Sequence, residues 1–396
     1  MEKNEIYSVG LDMIYLASCS LHGRIPEKEK LEKIPLELVY KLAKRHLLQA
    51  IIYVLLVKCR EKYGEDVIDK QLFAKWRAEY YTLVKRILQF DAERQALCGF
   101  MDEQGIWYLC MKGVVLQHYY PEIGMRQMAD NDILVDKKAC AKICNFMTKR
   151  GYSCESFGKG CHDTYLKGTL NFEIHRQLFP DMVKTKRGFD YYRNVESRLL
   201  KKQGSFERTF SDEDFYVYFL YHAYKHYVIS GFGARTLMDI FLYVSKNEGK
   251  LKREYLKGEL EKIGLSDFDR DICALSFKLF SAEALDSGLV LDEKETKMLE
   301  YILLSGSFGT KEHHVKNAVS DISGGEKATS WVKFKYLWKR VFPGMEYYRS
   351  GYPRASKFIV TIPFIWLARI FRGIFKRKMY VSEVKYLNEI DKDKAD

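Results

Sequence analysis

Proline is scarce, with seven residues in 396, and glycine is ordinary at 26. That composition excludes long unstructured linkers. No Cys-x-x-Cys pair occurs among the nine cysteines, at 19, 59, 98, 110, 140, 144, 154, 161 and 273. Their odd number and scatter exclude a disulfide framework and fit the reduced thiols of a cytoplasm. Cys140, Cys144, Cys154, Cys161 and His162 would allow a zinc site, but buried thiols in a small fold are the favoured reading. The first residues, MEKNEIYSVG, have no apolar run behind them, so no signal peptide is expected. The longest apolar stretch, Phe358 to Ala368, is short of the roughly 20 residues a membrane-spanning helix needs.

Hydrophobic residues make up 47% of the chain, enough for a sizeable globular core. Residues 1–104 carry apolar positions near a 3.6-residue period, as in Tyr80, Leu83, Val84, Ile87 and Leu88, and read as a helical region. The pattern changes at Gly105. A short apolar run, Ile106 to Met111, ends at Lys112-Gly113 and precedes a short helix from Val114 to Tyr120. Residues 130–135, DNDILV, read as a strand, and Lys137 to Arg150 as a helix that Gly151 terminates. His162 to Lys167 and Leu170 to Leu178 read as strands joined by a turn at Lys167-Gly168-Thr169. Ser211-Asp212-Glu213 starts a helix over 212–229, a second follows over 234–247, and helical pieces continue to about 305. The expected fold class is α+β, a small mixed sheet flanked by helical regions. The expected units are 1–104, 105–205, a helical domain 206–325 and a basic aromatic segment 326–396.

The sharpest chemical feature is Asp130-Asn131-Asp132. Residues i and i+2 of a strand share a face, so the two carboxylates lie close enough to hold one or two hard cations. Glu173 alternates with Phe172 and Ile174, which sets Glu173 and His175 on the open side of their strand. If the two strands are neighbours, three carboxylates converge, a set suited to metal-assisted phosphoryl transfer. Lys112-Gly113 lets backbone N–H groups approach a phosphate, and Lys112 and Arg126 are placed to reach a triphosphate. His222, Lys225 and His226 fall on one side of a helix, where a structural role is the favoured reading and, in a functional one, Lys225 and His226 would meet phosphate. Asp239 reads as a partner in a buried ion pair. Gly231-Phe232-Gly233 and Ser323-Gly324-Gly325 lack phosphate-loop spacing and read as turns.

Taken together, MKGVVLQHYYPEIGMRQMADNDILVDKK resembles the core of uncharacterised bacterial nucleotidyltransferases of the polymerase-beta-like superfamily. The resemblance rests on Lys112-Gly113, Tyr120-Pro121, Arg126, Asp130, Asp132, Leu134-Val135 and Gly151-Tyr152. Glu173 and His175 match the family's later carboxylate, His222, Lys225, His226 and Asp239 its helical stretch, and Gly306 to Gly309 a short glycine segment. It implies transfer of NMP from an NTP to a hydroxyl or similar group with Mg²⁺ or Mn²⁺. Asp130, Asp132 and Glu173 would be the catalytic metal ligands, and Lys112, Gly113, Arg126, His175, Lys225 and His226 would bind nucleotide. Two positions depart from the pattern. Asn131 stands where a hydrophobic residue is usual, and Val114 where the wider superfamily has Ser. Asn131 would point to the core side, where an unpaired amide costs about 1–3 kcal/mol, so it has a partner or that face is partly open.

The charge of +12 is local. Lys327 to Tyr380 holds thirteen Lys or Arg against one acid, Glu346, which equals the whole net charge. Within it, residues 357–378 set Trp366, Ile370, Phe371 and Ile374 in an apolar stripe flanked by cations. That pattern suits peripheral contact with the inner face of a cytoplasmic membrane, packing on the core, or a cleft for an anionic acceptor. No RNA-binding motif is present, so an RNA acceptor ranks below a small-molecule, sugar, lipid-linked or peptide acceptor. A degenerate fold serving as a scaffold is the reading from another class, and the intact carboxylates argue against it.

Overall fold

The computed structural model describes residues 2–324, 326, 329–352, 356, 358–375, 383–384 and 386–387. Five helices precede the sheet: α1 (Lys3–Leu21), α2 (Lys28–Lys33), α3 (Leu36–His46), α4 (Gln49–Tyr63) and α5 (Lys70–Glu103). The Asp69 carboxylate caps α5 by accepting from the Leu72 amide at 2.8 Å. Gly105, at φ 65°, ends it: the amides of Gly105 and Ile106 donate back to the carbonyls of Asp102 and Met101. This left-handed stop is why the helical pattern breaks there. α5 belongs to two cores. Leu72, Phe73 and Trp76 pack with the other helices, and Phe90, Leu97 and Met101 pack under the sheet. Phe90 meets Phe172 edge-on with ring centroids 5.8 Å apart.

The α/β unit contains β1 (Tyr108–Cys110), α6 (Lys112–Leu116), β2 (Asn131–Val135), α7 (Cys140–Lys149), β3 (Ser153–Ser156), β4 (His162–Lys167) and β5 (Leu170–His175). Its sheet order is β1-β2-β5-β4-β3. β2 and β5 are parallel, and the other neighbours are antiparallel. The expected small mixed sheet with flanking helices is the observed fold. The tight turn at Gly168, φ 58°, joins β4 to β5 as the sequence indicated. β3 has no apolar alternation to announce it. It is a half-exposed edge strand held by β4.

After α8 (Lys186–Tyr191) and a hairpin of β6 (Leu200–Lys201) and β7 (Arg208–Thr209), the chain turns helical again. α9 (Asp212–Ile229) starts where expected, with Ser211 Oγ accepting from the Asp214 amide at 3.1 Å. α10 (Arg235–Lys246), α11 (Arg253–Ile263), α12 (Ser266–Phe280), α13 (Ala282–Ser287) and α14 (Glu293–Ser305) complete this layer. It shares one continuous core with α1, α3 and α4.

α15 (Lys311–Ser323), α16 (Ser330–Val341), α17 (Met345–Gly351) and α18 (Ile362–Phe375) form the basic end. Gly324 is a left-handed cap of α15, and Gly325 lies outside the described residues. Trp366 stacks on Phe342 at 5.2 Å and donates to the Val341 carbonyl at 3.1 Å, which sets α18 beside α16. Trp331, Phe334, Trp338, Phe358 and Phe364 are all more than half exposed, Phe334 least at 51%. Of the expected stripe, the side chains of Phe371 and Ile374 lie outside the described residues, as do Lys357 and Lys376–Lys378. No described helix is long and apolar enough to cross a membrane.

The Gly231-Phe232-Gly233 segment, which read as a turn, and the glycine segment Gly306 to Gly309 clasp each other. A Cβ on Gly309, at φ 67°, would stand 2.5 Å from the Ser230 carbonyl oxygen, and one on Gly233 would stand 2.9 Å from the Ser307 amide. The Thr310 amide donates to Ser230 at 3.1 Å across the same contact. Gly249 has φ 78° but open space around it. Gly309→Ala combines overpacking with left-handed strain and is expected to destabilise by about 2–5 kcal/mol. Gly249→Ala carries only the strain, about 1–2 kcal/mol. Urea unfolding of the two variants side by side checks the difference.

Candidate active site

The parallel register of β2 and β5 sets Asp132 opposite Glu173 and Leu134 opposite His175. Alternation sends Asn131, Ile133, Phe172 and Ile174 to the other face, where all four are fully buried. Asp130 directly precedes β2. The expected meeting of the two acidic strands is therefore realised, through a parallel rather than a hairpin pairing. One ligand atom each of Asp132, Glu173 and His175 lie within 4.8 Å of one another. Asp130 does not join that group, yet it senses it. Burial raises its carboxyl, and the charges of Asp132 and Glu173 add to burial against Lys112 and Arg235, to about 6.

Asp132 moves the other way. Burial alone would raise it, but Lys112 and His175 hold it well below the usual carboxylate range. Lys112 Nζ donates directly to Asp132 Oδ2. His175 Nε2 lies 3.3 Å from Asp132 Oδ1 and 3.6 Å from Glu173 Oε2. Burial disfavours an imidazolium at His175, but Asp132, Cys161 and Glu173 outweigh burial and raise its pKa. His175, expected at the nucleotide, thus stands among the carboxylates.

α9 roofs the cleft. Tyr218, His222, Lys225 and His226 fall at i, i+4, i+7 and i+8 on one helical face. Tyr218 reaches back to Met111 Sδ at 3.3 Å. Burial and then the charge of Lys112 lower the Lys225 pKa, while Asp132 and Glu173 act oppositely. His222 and His226 stand with Nε2 atoms 3.3 Å apart. Burial first, and Lys112 and Lys225 after it, depress both, His226 to about 3, so both rings are neutral near pH 7.

Arg126 lies elsewhere. Its Nε and Nη2 donate to the two oxygens of Asp239 at 2.8 and 2.9 Å, and Nη1 donates to the Gly113 carbonyl at 3.3 Å. The pair is almost fully buried, and Tyr120 adds its hydroxyl to Asp239 at 2.8 Å. Arg126 therefore ties the Lys112-Gly113 turn to α10 instead of facing the cleft, and Asp239 has its expected ion pair. Gly113 starts α6, and a Cβ there would stand 3.3 Å from Met128 Cε, tight but next to a flexible chain end.

Several residues at the site give no sequence signal. Arg86 and Arg94 come from α5. Arg86 Nη2 donates to the Ala129 carbonyl at 2.8 Å, and Arg94 Nη1 to Asn131 Oδ1 at 3.2 Å. Arg94 is thus the partner the Asn131 amide oxygen needs, although its Nδ2 is buried without one. Arg235 Nη1 donates to the Gln127 carbonyl at 2.5 Å. Its spacing of four from Asp239 was the only available hint. Cys161 and His162, which the sequence offers for a zinc site, border the cleft too, with Sγ 3.5 Å from Nδ1. All nine cysteines are free thiols. Burial raises the Cys161 thiol, but His162 and His175 outweigh burial and bring it down to about 6.

A parallel strand pair carrying convergent carboxylates, with lysines on both sides, is an arrangement for handling a polyphosphate. The profile of a family described as uncharacterised nucleotidyltransferases matches residues 32–281. The match covers more than half of the chain, and the chain belongs to that family. No curated protein matches it.

The Arg126–Asp239 pair yields a stability prediction. Arg126→Ala leaves the Asp239 charge buried and unpaired and is expected to cost about 3–5 kcal/mol, as is Asp239→Ala. The double variant is expected to lose less than the sum of the two. Denaturant unfolding of all three closes the cycle, and additive losses would show that the pair is not coupled.

Proposed function

We propose that this nucleotidyltransferase moves NMP from an NTP to a hydroxyl or similar group of a small-molecule, sugar, lipid-linked or peptide acceptor, as in polymerase-beta-like enzymes. The observation that carries the reading is the register of Asp132 against Glu173, with Asp130 coupled to both and Lys112 and Lys225 opposite. The donor set fits a hard divalent cation such as Mg²⁺ or Mn²⁺. Such ions take one or two carboxylates and complete their shell with substrate phosphates, and Asp130, Asp132 and Glu173 would hold one. When bound, it supplies the charge that acidifies the acceptor hydroxyl and neutralises the triphosphate.

The chain's own residues do the rest. Lys112, at the start of α6, meets phosphate oxygens where backbone N–H groups also point. Lys225 approaches from α9, so the triphosphate lies between two cations that otherwise repel each other. Neutral His222 and His226 wall the cleft without adding charge. His175 offsets the negative charge of Asp132 and Glu173. Arg126 is a positioning residue, because it fixes the Gly113 carbonyl and through it the angle of Lys112.

Incubation with α-labelled NTP and total cell extract, followed by separation of RNA, protein and small molecules, is expected to label a non-RNA acceptor. Lys112→Ala is expected to slow transfer by about 10²–10³-fold. Asp130→Ala/Asp132→Ala is expected to abolish both transfer and any thermal stabilisation by NTP with Mg²⁺. Stabilisation by no NTP, together with no labelled product, would sink the reading and favour a scaffold. Label in RNA would select the RNA-directed alternative.

A second proposal concerns location. The exposed aromatic residues of α16 and α18 are interleaved with Lys333, Lys335, Lys339 and Arg369. That surface suits the headgroup layer of an anionic membrane. The full chain is expected to float with anionic liposomes and Trp331→Glu/Trp338→Glu to stay behind. Equal behaviour of the two proteins would end the idea.

A further inference from the structure

Beside the carboxylates lies a second constellation of different chemistry. Cys161 Sγ and one ring nitrogen each of His162 and His175 all lie within 4.8 Å of one another. Carboxylate, carbonyl and water oxygens suit Mg²⁺, whereas thiolate with imidazole selects Zn²⁺ and its neighbours in the first transition row. Zinc sites that keep three protein ligands leave a fourth position for water or substrate.

Three features go beyond proximity. Both imidazoles already have a carboxylate near one nitrogen: His175 Nε2 is hydrogen-bonded to Asp132 Oδ1 at 3.3 Å, and His162 Nε2 lies at an ion-pair distance of 3.6 Å from Glu173 Oε2. A metal-bound imidazole almost always shows a carboxylate or carbonyl on its other nitrogen, which fixes tautomer and orientation. The opposite nitrogen of His162 lies toward the thiol, and that of His175 is unpartnered. His162 Nδ1 faces Cys161 Sγ at 3.5 Å. His175 Nδ1 is buried without a hydrogen-bond partner in a residue only 9% exposed.

The loop that carries the thiol is also held in place. Arg176 pairs with the fully buried Asp163, donates through Nη2 to the carbonyls of Lys159 at 2.8 Å and Gly160 at 3.2 Å, and its amide donates to Cys161 at 2.8 Å. Asp163 in turn accepts from the Gly158 amide at 2.7 Å. Cys161 is thus fixed at the end of β4, next to the two imidazoles, by contacts that do not involve either ring.

We propose that Cys161, His162 and His175 form a site for one Zn²⁺-class ion, separate in chemistry from the hard-cation site and with an open position at the cleft. Glu173 stands between the two sites, since it meets both imidazoles at 3.6 Å. The proposal does not require the transferase reading, because it concerns metal binding alone.

Co²⁺ is the probe, added to the 396-residue chain stripped of metal by chelator. A near-ultraviolet thiolate-to-Co²⁺ charge-transfer band and the ligand-field bands of a four-coordinate ion are expected to saturate at a single equivalent. Zn²⁺ is expected to displace the Co²⁺ and excess Mg²⁺ to leave it. Cys161→Ser is expected to lose the charge-transfer band, and His162→Ala to weaken binding at least tenfold, both with wild-type circular dichroism. Asp132→Asn is expected to keep the band even if every transfer assay fails. A folded wild-type chain that shows no band overturns the proposal. So does a band unchanged in Cys161→Ser, which would move the thiolate to another cysteine.

Discussion

The parallel pairing of β2 with β5 is the constraint around which this protein is built. It forces Asp132 and Glu173 side by side and brings Asp130 within their field. Like charges that close in a partly dry cleft cannot all ionise without compensation. The compensation comes from three directions: Lys112 from the turn after β1, His175 from β5 itself, and Lys225 from α9. Each of these cations is buried enough that its own charge is costly without the carboxylates. Lys112 and His175 therefore hold Asp132 ionised, whereas burial and the neighbouring carboxylates push Asp130 up.

The helices flanking the sheet serve that arrangement rather than merely enclosing it. α5 supports the sheet from below and sends Arg86 and Arg94 to the Ala129 carbonyl and the Asn131 amide, which fixes the segment bearing Asp130. α10 offers Asp239 to Arg126 and so anchors the turn bearing Lys112. Both devices act on backbone position within one or two residues of a cleft side chain. A shared core joins α1, α3 and α4 to α9, α10, α12 and α14 and carries the roof of the cleft, while the sheet packs on a second core that α5 shares with the first.

Much of this was legible in the sequence, and the physics explains which parts were not. Strand alternation in DNDILV and NFEIH assigned the right faces because period-two patterning survives in any sheet order. It could not show that the strands run parallel, which depends on how the chain crosses over between them. β3 escaped because an edge strand need not bury either face. The helix start at Ser211 and the stop at Gly105 were readable because caps are local chemistry. Arg86, Arg94 and Arg235 were not, since an arginine on a helix looks the same whether it meets water or a carbonyl. Residues 1–104 read as a helical region, and only the fold shows that Arg86 and Arg94 reach the acidic segment.

Arg126 shows where spacing misleads. Four residues before Asp130, a cation invites assignment to the triphosphate. Its guanidinium makes two parallel bonds to Asp239 instead, the arrangement in which arginine differs most from lysine. A surface cation would lose little by turning to a phosphate, but this one would have to leave a carboxylate stranded in a nearly dry interior. The resemblance between this segment and the family pattern is therefore partly about architecture. Tyr120, Arg126 and Asp239 belong to one buried network, and that network reaches the backbone next to Lys112 through the Gly113 carbonyl.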